Sequence, residues 1–313
     1  MPSPERTAAA MLAFAAGDAL GVPWEGSPPG DIDPDAIPSV PAPSWGWPRG
    51  STSDDTAQML LVAELLAETD GDPTSKAFMR WLADAADTIR GIGPTTRRAL
   101  DYFAATGTLP PPEPGQRATN GAAMRMLPVG WATPATHPDR RRDLTHTLAI
   151  GTHQAPAAIG AAHVVTAMAA WTIEGVDTDT VLAAARTEAG WLADGGTELP
   201  ALAAALDGRW APPENGISLD ADETVAAVAH ILRTTNDLYD ALHRSVVLGG
   251  DTDTVAALVG GIRGAQQPGQ VDDLPWLDII DYEPRPDLAA HLHRLRRHAY
   301  RQPHSEPQGP EGD

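Results

Sequence analysis

No stretch of this chain alternates Val, Ile, Thr and aromatic residues for long enough to suggest a sheet, whereas stretches rich in Ala and Leu recur along it. A half-buried strand needs alternation, and an amphipathic helix needs apolar residues at helical spacing. The chain therefore reads as all-α. With 313 residues and 42% hydrophobic content it can bury a full core, and the length allows one large domain or two ordinary ones.

Asp54 to Thr69 illustrates the pattern: Met59, Val62, Ala63 and Leu66 fall at the i, i+3, i+4, i+7 positions of one apolar face. Val255, Leu258, Val259 and Ile262 repeat it within Thr254–Ala265. Further helices are expected over Glu5–Leu20, Thr74–Thr88, Thr95–Thr106, Asp139–Ile150, Pro156–Glu174, Asp179–Asp194, Leu199–Leu206, Glu223–Thr235, Leu238–Leu248 and Pro286–Ala299, with short Gly/Pro/Asp connectors. Ser27 to Gly50 carries seven prolines along with Trp45 and Trp47 and cannot be helical. A loop of that length reads either as a mobile lid or as a Pro-stiffened surface segment. No linker divides residues 1–300, so one domain is expected there, and the polar, Pro-rich stretch 301–313 reads as a disordered tail.

The formal charge of −20 argues against nucleic acid or an anionic membrane as the main partner, since both would be repelled at long range. The one lysine, Lys76, has no Gly-rich approach, which removes the P-loop reading and disfavours a Schiff base. Without cysteine, disulfides, thiolate metal sites and cysteine nucleophiles are excluded. The Ala-rich start mimics a signal peptide, but Glu5 spoils its charge pattern and the run is short. No later segment is expected to supply the roughly 20 apolar residues of a membrane span. A cytoplasmic protein with no membrane partner is the expectation.

Two acidic clusters carry the chemistry. Ser53-Asp54-Asp55-Thr56 offers four oxygen-bearing side chains at a helix start, where capping of free N–H groups is the ordinary use of such residues. Gly249-Gly250-Asp251-Thr252-Asp253-Thr254 opens a second helix about 200 residues later, and its diglycine can adopt the positive φ that aims two carboxylates at one centre. Hard divalent cations take oxygen ligands, and a pair of them needs several carboxylates to offset about four positive charges. Asp54, Asp55, Asp251 and Asp253 meet that need. Neither Asp251-x-Asp253 nor Asp31-x-Asp33-x-Asp35 is an EF-hand, because Val255 and Ala256, like Pro34 and Ala36, stand at defining positions of that loop. Asp177-Thr178-Asp179-Thr180-Val181 repeats residues 251 to 255 without the diglycine and reads as a helix cap.

Five motifs then fall in order over nearly 240 residues: Gly17-Asp18-Ala19-Leu20-Gly21-Val22-Pro23-Trp24-Glu25, the Ser53 cluster, Asn120-Gly121-Ala122-Ala123-Met124-Arg125, Thr152-His153, and the diglycine cluster. In this the chain resembles the ADP-ribosylglycohydrolases, which include ADP-ribosylarginine hydrolases and a dinitrogenase-reductase-activating glycohydrolase. The resemblance implies an orthogonally packed helical domain with a central binuclear site holding two Mg2+, with Mn2+ as an alternative. It implies Ser53, Asp54, Asp55, Asp251, Asp253 and Thr254 as ligands. Many members carry Thr where this chain has Ser53, a change that keeps the hydroxyl. Glu25 matches a glutamate over the site that contacts substrate and serves in acid/base catalysis in some members. Asn120, Gly121 and Ala122 match a loop whose backbone holds the diphosphate or distal ribose, and Gly91 and Gly93 fit a similar role more weakly. His153 matches a residue near the substrate, although capping or core hydrogen bonding would equally account for a lone histidine there. Trp45 and Trp47 read as packing residues before they read as an adenine platform.

The implied reaction breaks the C1″ glycosidic bond of an ADP-ribosylated acceptor through an oxocarbenium-like transition state, with Asp54, Asp55 and Asp251 in the catalytic centre beside Glu25. The partner is then the ADP-ribose moiety of a modified protein or small molecule, arginine-linked by resemblance to the bacterial members. Two rivals share the carboxylates: a binuclear phosphohydrolase, which would release AMP, and a non-catalytic ADP-ribose binder.

Overall fold

The computed structural model describes residues 2–299, so the tail expected over 301–313 lies outside the described residues. Within them the chain folds into α1 (Pro4–Gly21), α2 (Asp54–Glu68), α3 (Ser75–Ala85), α4 (Pro94–Thr106), α5 (Leu127–Ala132), α6 (Pro138–Ala149), α7 (Pro156–Glu174), α8 (Thr178–Asp194), α9 (Pro200–Leu206), α10 (Ala221–Thr234), α11 (Leu238–Val247), α12 (Thr252–Gln266) and α13 (Pro286–Ala299). The described residues contain no strand, only isolated bridges between Thr119 and Asp220 and between Ile217 and Gly250. The all-α expectation holds.

A Pro-rich chain can be helical because its prolines sit where helices begin. Pro4, Pro94, Pro138, Pro156, Pro200 and Pro286 are first residues of their helices, where the missing N–H has no partner to lose and φ is already set. Other starts are capped: Thr74, Asp177 and Asp237 accept hydrogen bonds from backbone N–H groups three residues on. Asp220 accepts from the N–H groups of Asp222 and Glu223, which is why α10 starts ahead of the expected Glu223.

α7 is the hub of the main core. Its side chains from Ala161 to Ala170 are all buried, packed among residues of α5, α6, α8, α10 and α12. Contrary to the sequence expectation, this helix has the length and apolarity of a membrane span, as does α1 with the turn after it, but both are mostly buried within the protein. Arg296 of α13 fastens the same region, donating to the carbonyls of Gly130 at 2.9 Å and Ala170 at 2.8 Å. A second core forms under the 27–50 loop, where Ile32, Ile37 and Val40 pack with Leu238, Leu242 and Trp276. Arg49 ties that loop to the Val40 carbonyl at 3.0 Å, and His243 bonds the Pro34 carbonyl at 2.9 Å. Of the two readings of this loop, these anchors support the stiffened segment.

The contact that positions the site is α1 against α12. A Cβ on Gly17 would stand 2.2 Å from the Ala256 carbonyl oxygen, one on Gly21 2.4 Å from Asp253 Cα, and one on Gly260 2.2 Å from the Ala13 carbonyl oxygen. As the α1 number rises the α12 number falls, so the helices run antiparallel, backbone against backbone. The end of α1 therefore meets the start of α12.

Candidate active site

Three chain segments meet at that junction. Asp18, near the end of α1, is fully buried and reaches across to the start of α2. It accepts hydrogen bonds at 3.0 Å from the N–H groups of Ser53 and Thr56, and one at 2.5 Å from the Thr56 hydroxyl. It thereby takes over free N–H groups of the α2 N-terminus, while Ser53 caps the same helix through the Asp55 N–H at 3.1 Å. Thr254 of α12 donates to Asp55 Oδ2 at 3.2 Å, and Ser53 donates to the same oxygen at 3.2 Å. The two clusters that the sequence separates by about 200 residues are thus in direct contact.

The diglycine behaves as its spacing suggests, with φ of +69° at Gly249 and +73° at Gly250. Its backbone is laced on both sides. Gly26 N–H donates to the Gly250 carbonyl and Gly250 N–H to the Ser27 carbonyl, each at 2.8 Å, and Asp251 N–H donates to the Ile217 carbonyl at 2.8 Å. The turn bearing Glu25 is in this way fixed beside Asp251. Asn120 donates through its side-chain amide to Asp251 Oδ2 and to the Thr224 hydroxyl.

The result is a cleft of about 230 Å3 whose lining includes the acidic residues Glu25, Asp54, Asp55, Asp251 and Asp253 with Thr254, together with Gly91, Gly93, Asn120, Gly121, Met124 and His153. Two expected site residues stand off this wall. Ala122 is fully buried and belongs to the core beneath the loop, so it has no surface to offer a ligand. Ser53 lies behind the wall as the α2 cap. Trp47 leans over Gly91, 3.2 Å from where a Cβ would be, and meets Trp45 edge-on at 5.6 Å between centroids.

Desolvation dominates the electrostatics. Asp54 is 9% exposed, Asp55 2%, Asp251 5% and Asp253 4%. Burial, then the charges of Asp18 and Glu25, pushes the Asp54 carboxyl up to about 7. Burial, opposed by the Asn120 hydrogen bond, pushes Asp251 up to about 7 as well. Asp55 and Asp253 are raised well above the ordinary carboxyl range by burial and by their acidic neighbours. Glu25, on the exposed rim with one side against the cleft, is raised by desolvation and by Asp18. Such groups remain protonated or require positive charge beside them.

The donor set fits a hard divalent cation. Asp55 Oδ1 and Asp253 Oδ1 are buried without any hydrogen-bond partner, and the surrounding donors are carboxylate and hydroxyl oxygens. A buried acceptor without a partner is costly, and a bound cation would relieve both at once. Among the described residues no three His, Asp or Glu side chains stand close enough together to hold a metal ion as they are placed, so the fit rests on the chemistry of these donors.

His153 is placed more definitely than its sequence allowed. It is buried, and its ring nitrogens pair with the Thr152 hydroxyl at 2.8 Å and the Thr119 hydroxyl at 3.1 Å. Desolvation, then Arg125, holds its pKa well below the usual imidazole range. It is a neutral wall residue against which Gly121 packs, since a Cβ there would come within 2.7 Å of the ring. Asp177 caps α8 through the Thr180 N–H at 2.8 Å and lines no part of the cleft, and Asp33 closes a local exposed turn onto Asp35 N–H.

Several residues at the site were given no role from sequence. Asp18 and Arg125 lay inside the quoted motifs, but nothing in their spacing told that one joins α1 to α2 and the other lies behind the wall. Gln58, which donates to Asp54 Oδ2 at 2.7 Å, lies outside every motif the sequence singles out. Leu219, half exposed at the cleft edge, had no signal at all.

Fold and site together define an all-helical enzyme built on a buried carboxylate cluster. The chain belongs to the ADP-ribosylglycohydrolase family, whose model matches residues 2–303. It is 30% identical over 285 residues to the ADP-ribosyl-[dinitrogen reductase] glycohydrolase of Rhodospirillum rubrum, covering 88% of this chain and 90% of that one. It is 27% identical to an uncharacterized protein of Archaeoglobus fulgidus, covering 91% of this chain and 95% of that one. A solved structure described as an ADP-ribosylglycohydrolase-related protein complex matches 93% of this chain and 98% of its own with a TM-score of 0.74 at 28% identity. The chain is accordingly a glycohydrolase, of a family that hydrolyses ADP-ribose linkages.

Proposed function

We propose that this cleft hydrolyses the C1″ glycosidic bond between ADP-ribose and an acceptor, with arginine the leading acceptor, and that it does so with two bound Mg2+, or Mn2+ in their place. The observation that carries the reading is the convergence of Glu25, Asp54, Asp55, Asp251 and Asp253, from three separated segments, on one cleft in which two buried carboxylate oxygens have no partner. Asp54, Asp55, Asp251, Asp253 and Thr254 would hold the ions, with Ser53 supporting Asp55. When bound, the ions supply Lewis-acid polarisation and a lowered water pKa.

The chain's own residues do the rest. Asn120 orients the Asp251 carboxylate, and Asp18 fixes the α2 start from which Asp54 and Asp55 project. Glu25, on the open rim with a raised pKa, suits proton transfer to the leaving acceptor or from water. The wall of Gly91, Gly93 and Gly121 brings bare backbone to the ligand, which an acidic protein needs in order to hold a diphosphate locally. An adjoining hollow of about 380 Å3 shares Thr95 with the cleft and is lined by Arg98, Tyr102 and Pro110 to Pro114, giving the nucleoside end room beside an exposed aromatic face. Overall, water adds to C1″, the acceptor leaves with a proton, and free ADP-ribose is released. A cytoplasmic location goes with this reading.

The test is incubation with a panel of ADP-ribosylated acceptors, with and without EDTA, reading products by mass spectrometry. Release of ADP-ribose, abolished by EDTA and restored by Mg2+, is expected. Release of AMP would overturn the glycosidic reading, and full activity in EDTA would overturn the metal.

A further inference from the structure

Behind the cleft, Arg125 is fully buried, and its guanidinium has only neutral acceptors: the Gln58 side-chain oxygen at 3.1 Å, the Gly121 carbonyl at 2.7 Å, the Leu148 carbonyl at 3.1 Å and the Thr152 hydroxyl at 2.7 Å. It stands over the Phe78 ring at 4.7 Å. Burying a cation without a contacting anion is expensive, and a core that needed stability alone would be served as well by apolar side chains. Burial lowers the pKa of the group to about 9, and the charge that offsets this is that of Asp54.

Three of these four acceptors, Gln58, Gly121 and Thr152, lead to the cleft. Gln58 receives from Arg125 at its oxygen, which fixes its amide to donate to Asp54 Oδ2 at 2.7 Å. Thr152 receives from Arg125 and pairs with His153, whose ring supports Gly121, and the Gly121 carbonyl is itself bonded to Arg125. We propose that Arg125 is a positioning residue that sets two walls of the cleft at once. Through Gln58 it aims the Asp54 carboxylate toward a cation, and through Gly121 and Thr152 it holds the turn and imidazole that face a diphosphate-bearing ligand. The inference rests on the ADP-ribose reading of this cleft and adds to it a shared support for its two halves.

The two arms can be cut separately and read without turnover. Calorimetry on the full chain measures MgCl2 binding alone, and ADP-ribose binding in EDTA. Gln58→Leu is expected to weaken Mg2+ at least five-fold and leave ADP-ribose within two-fold, Thr152→Val to do the reverse, and Arg125→Lys to weaken both about ten-fold. Arm variants that weaken both ligands alike, or neither, overturn the proposal, as does a folded Arg125→Lys protein with both affinities unchanged. If Arg125→Lys does not fold, the two arm variants decide. Failure of the wild-type chain to bind ADP-ribose overturns the functional reading and this inference with it. Wild-type binding with indifferent variants overturns the inference alone.

Discussion

Asp253 illustrates what a single side chain does in this protein: it is buried among like charges, has an oxygen without a partner, and its carboxyl is raised by burial, Glu25 and Asp55. On the proposed reading, such a residue trades stability for function. Asp253→Asn is therefore expected to abolish ADP-ribose release, by at least 100-fold, while raising the melting temperature in EDTA at pH 8 by a few degrees, at about 2 °C per kcal/mol for a chain of this size. Turnover and thermal melting of one preparation check both halves. Gly121 gives the opposite case. A Cβ there would sit 2.7 Å from the His153 ring, so Gly121→Ala is expected to cost about 1–3 kcal/mol through overpacking and to weaken ADP-ribose at least ten-fold by calorimetry. The four aspartates could be singled out in sequence because two clusters of one chemical type needed a common explanation. Asp18 received no role there, because a lone acid inside an Ala-rich helix has no distinguishing pattern until the helix it caps is known.

At the scale of elements, the α1–α12 contact depends on residues too small to keep backbones apart. Gly17→Ala would place a methyl 2.2 Å from the Ala256 carbonyl oxygen, and neither helix can yield without moving Asp18 or Asp253. A loss of at least 2 kcal/mol is expected, at the upper end of overpacking costs of about 1–3 kcal/mol, measured by urea denaturation, with activity falling further than stability because the carboxylates are re-aimed. Apolar periodicity and proline placement made the long helices legible. α5, only six residues long, is not among the helices expected from sequence. In the fold Pro128 sits in the first turn, and Gly130 lets α5 cross α7, since a Cβ would stand 2.4 Å from the Thr166 carbonyl. Such crossings are tertiary facts and leave no local pattern. The Ser27–Gly50 loop had two readings for the same reason: whether Ile32, Ile37 and Val40 find a core depends on α11 and Trp276, about 200 residues on.

For the molecule as a whole, the buried carboxyls make stability depend on protons and, on the proposed reading, on cations as well. Each ionises at a higher pH when folded than when unfolded, so the folded state retains protons the unfolded chain has released. Their stabilising effect is complete below about pH 4 and is lost as the pH rises, through about 7 for Asp54 and Asp251. In EDTA the melting temperature is expected to fall by several degrees between pH 5.5 and 8.5. Mg2+ should raise it more at pH 8.5 than at 5.5, since cation and proton compete for the same oxygens. Differential scanning calorimetry at the two pH values checks the sign, and equal Mg2+ shifts at both would contradict it.

The antiparallel contact of α1 with α12 also has a bearing on how this enzyme is made. The ribosome releases Asp18, Glu25 and the Ser53 cluster early, and the turn at Gly249 that receives them emerges some 200 residues later. Until then half of an acidic centre waits without its counterpart, and contacts this distant in sequence form late. A nascent chain cut short before Asp251 therefore lacks the part of the cleft wall that the Gly249 turn and α12 supply, and the cleft can be completed only once that turn has emerged.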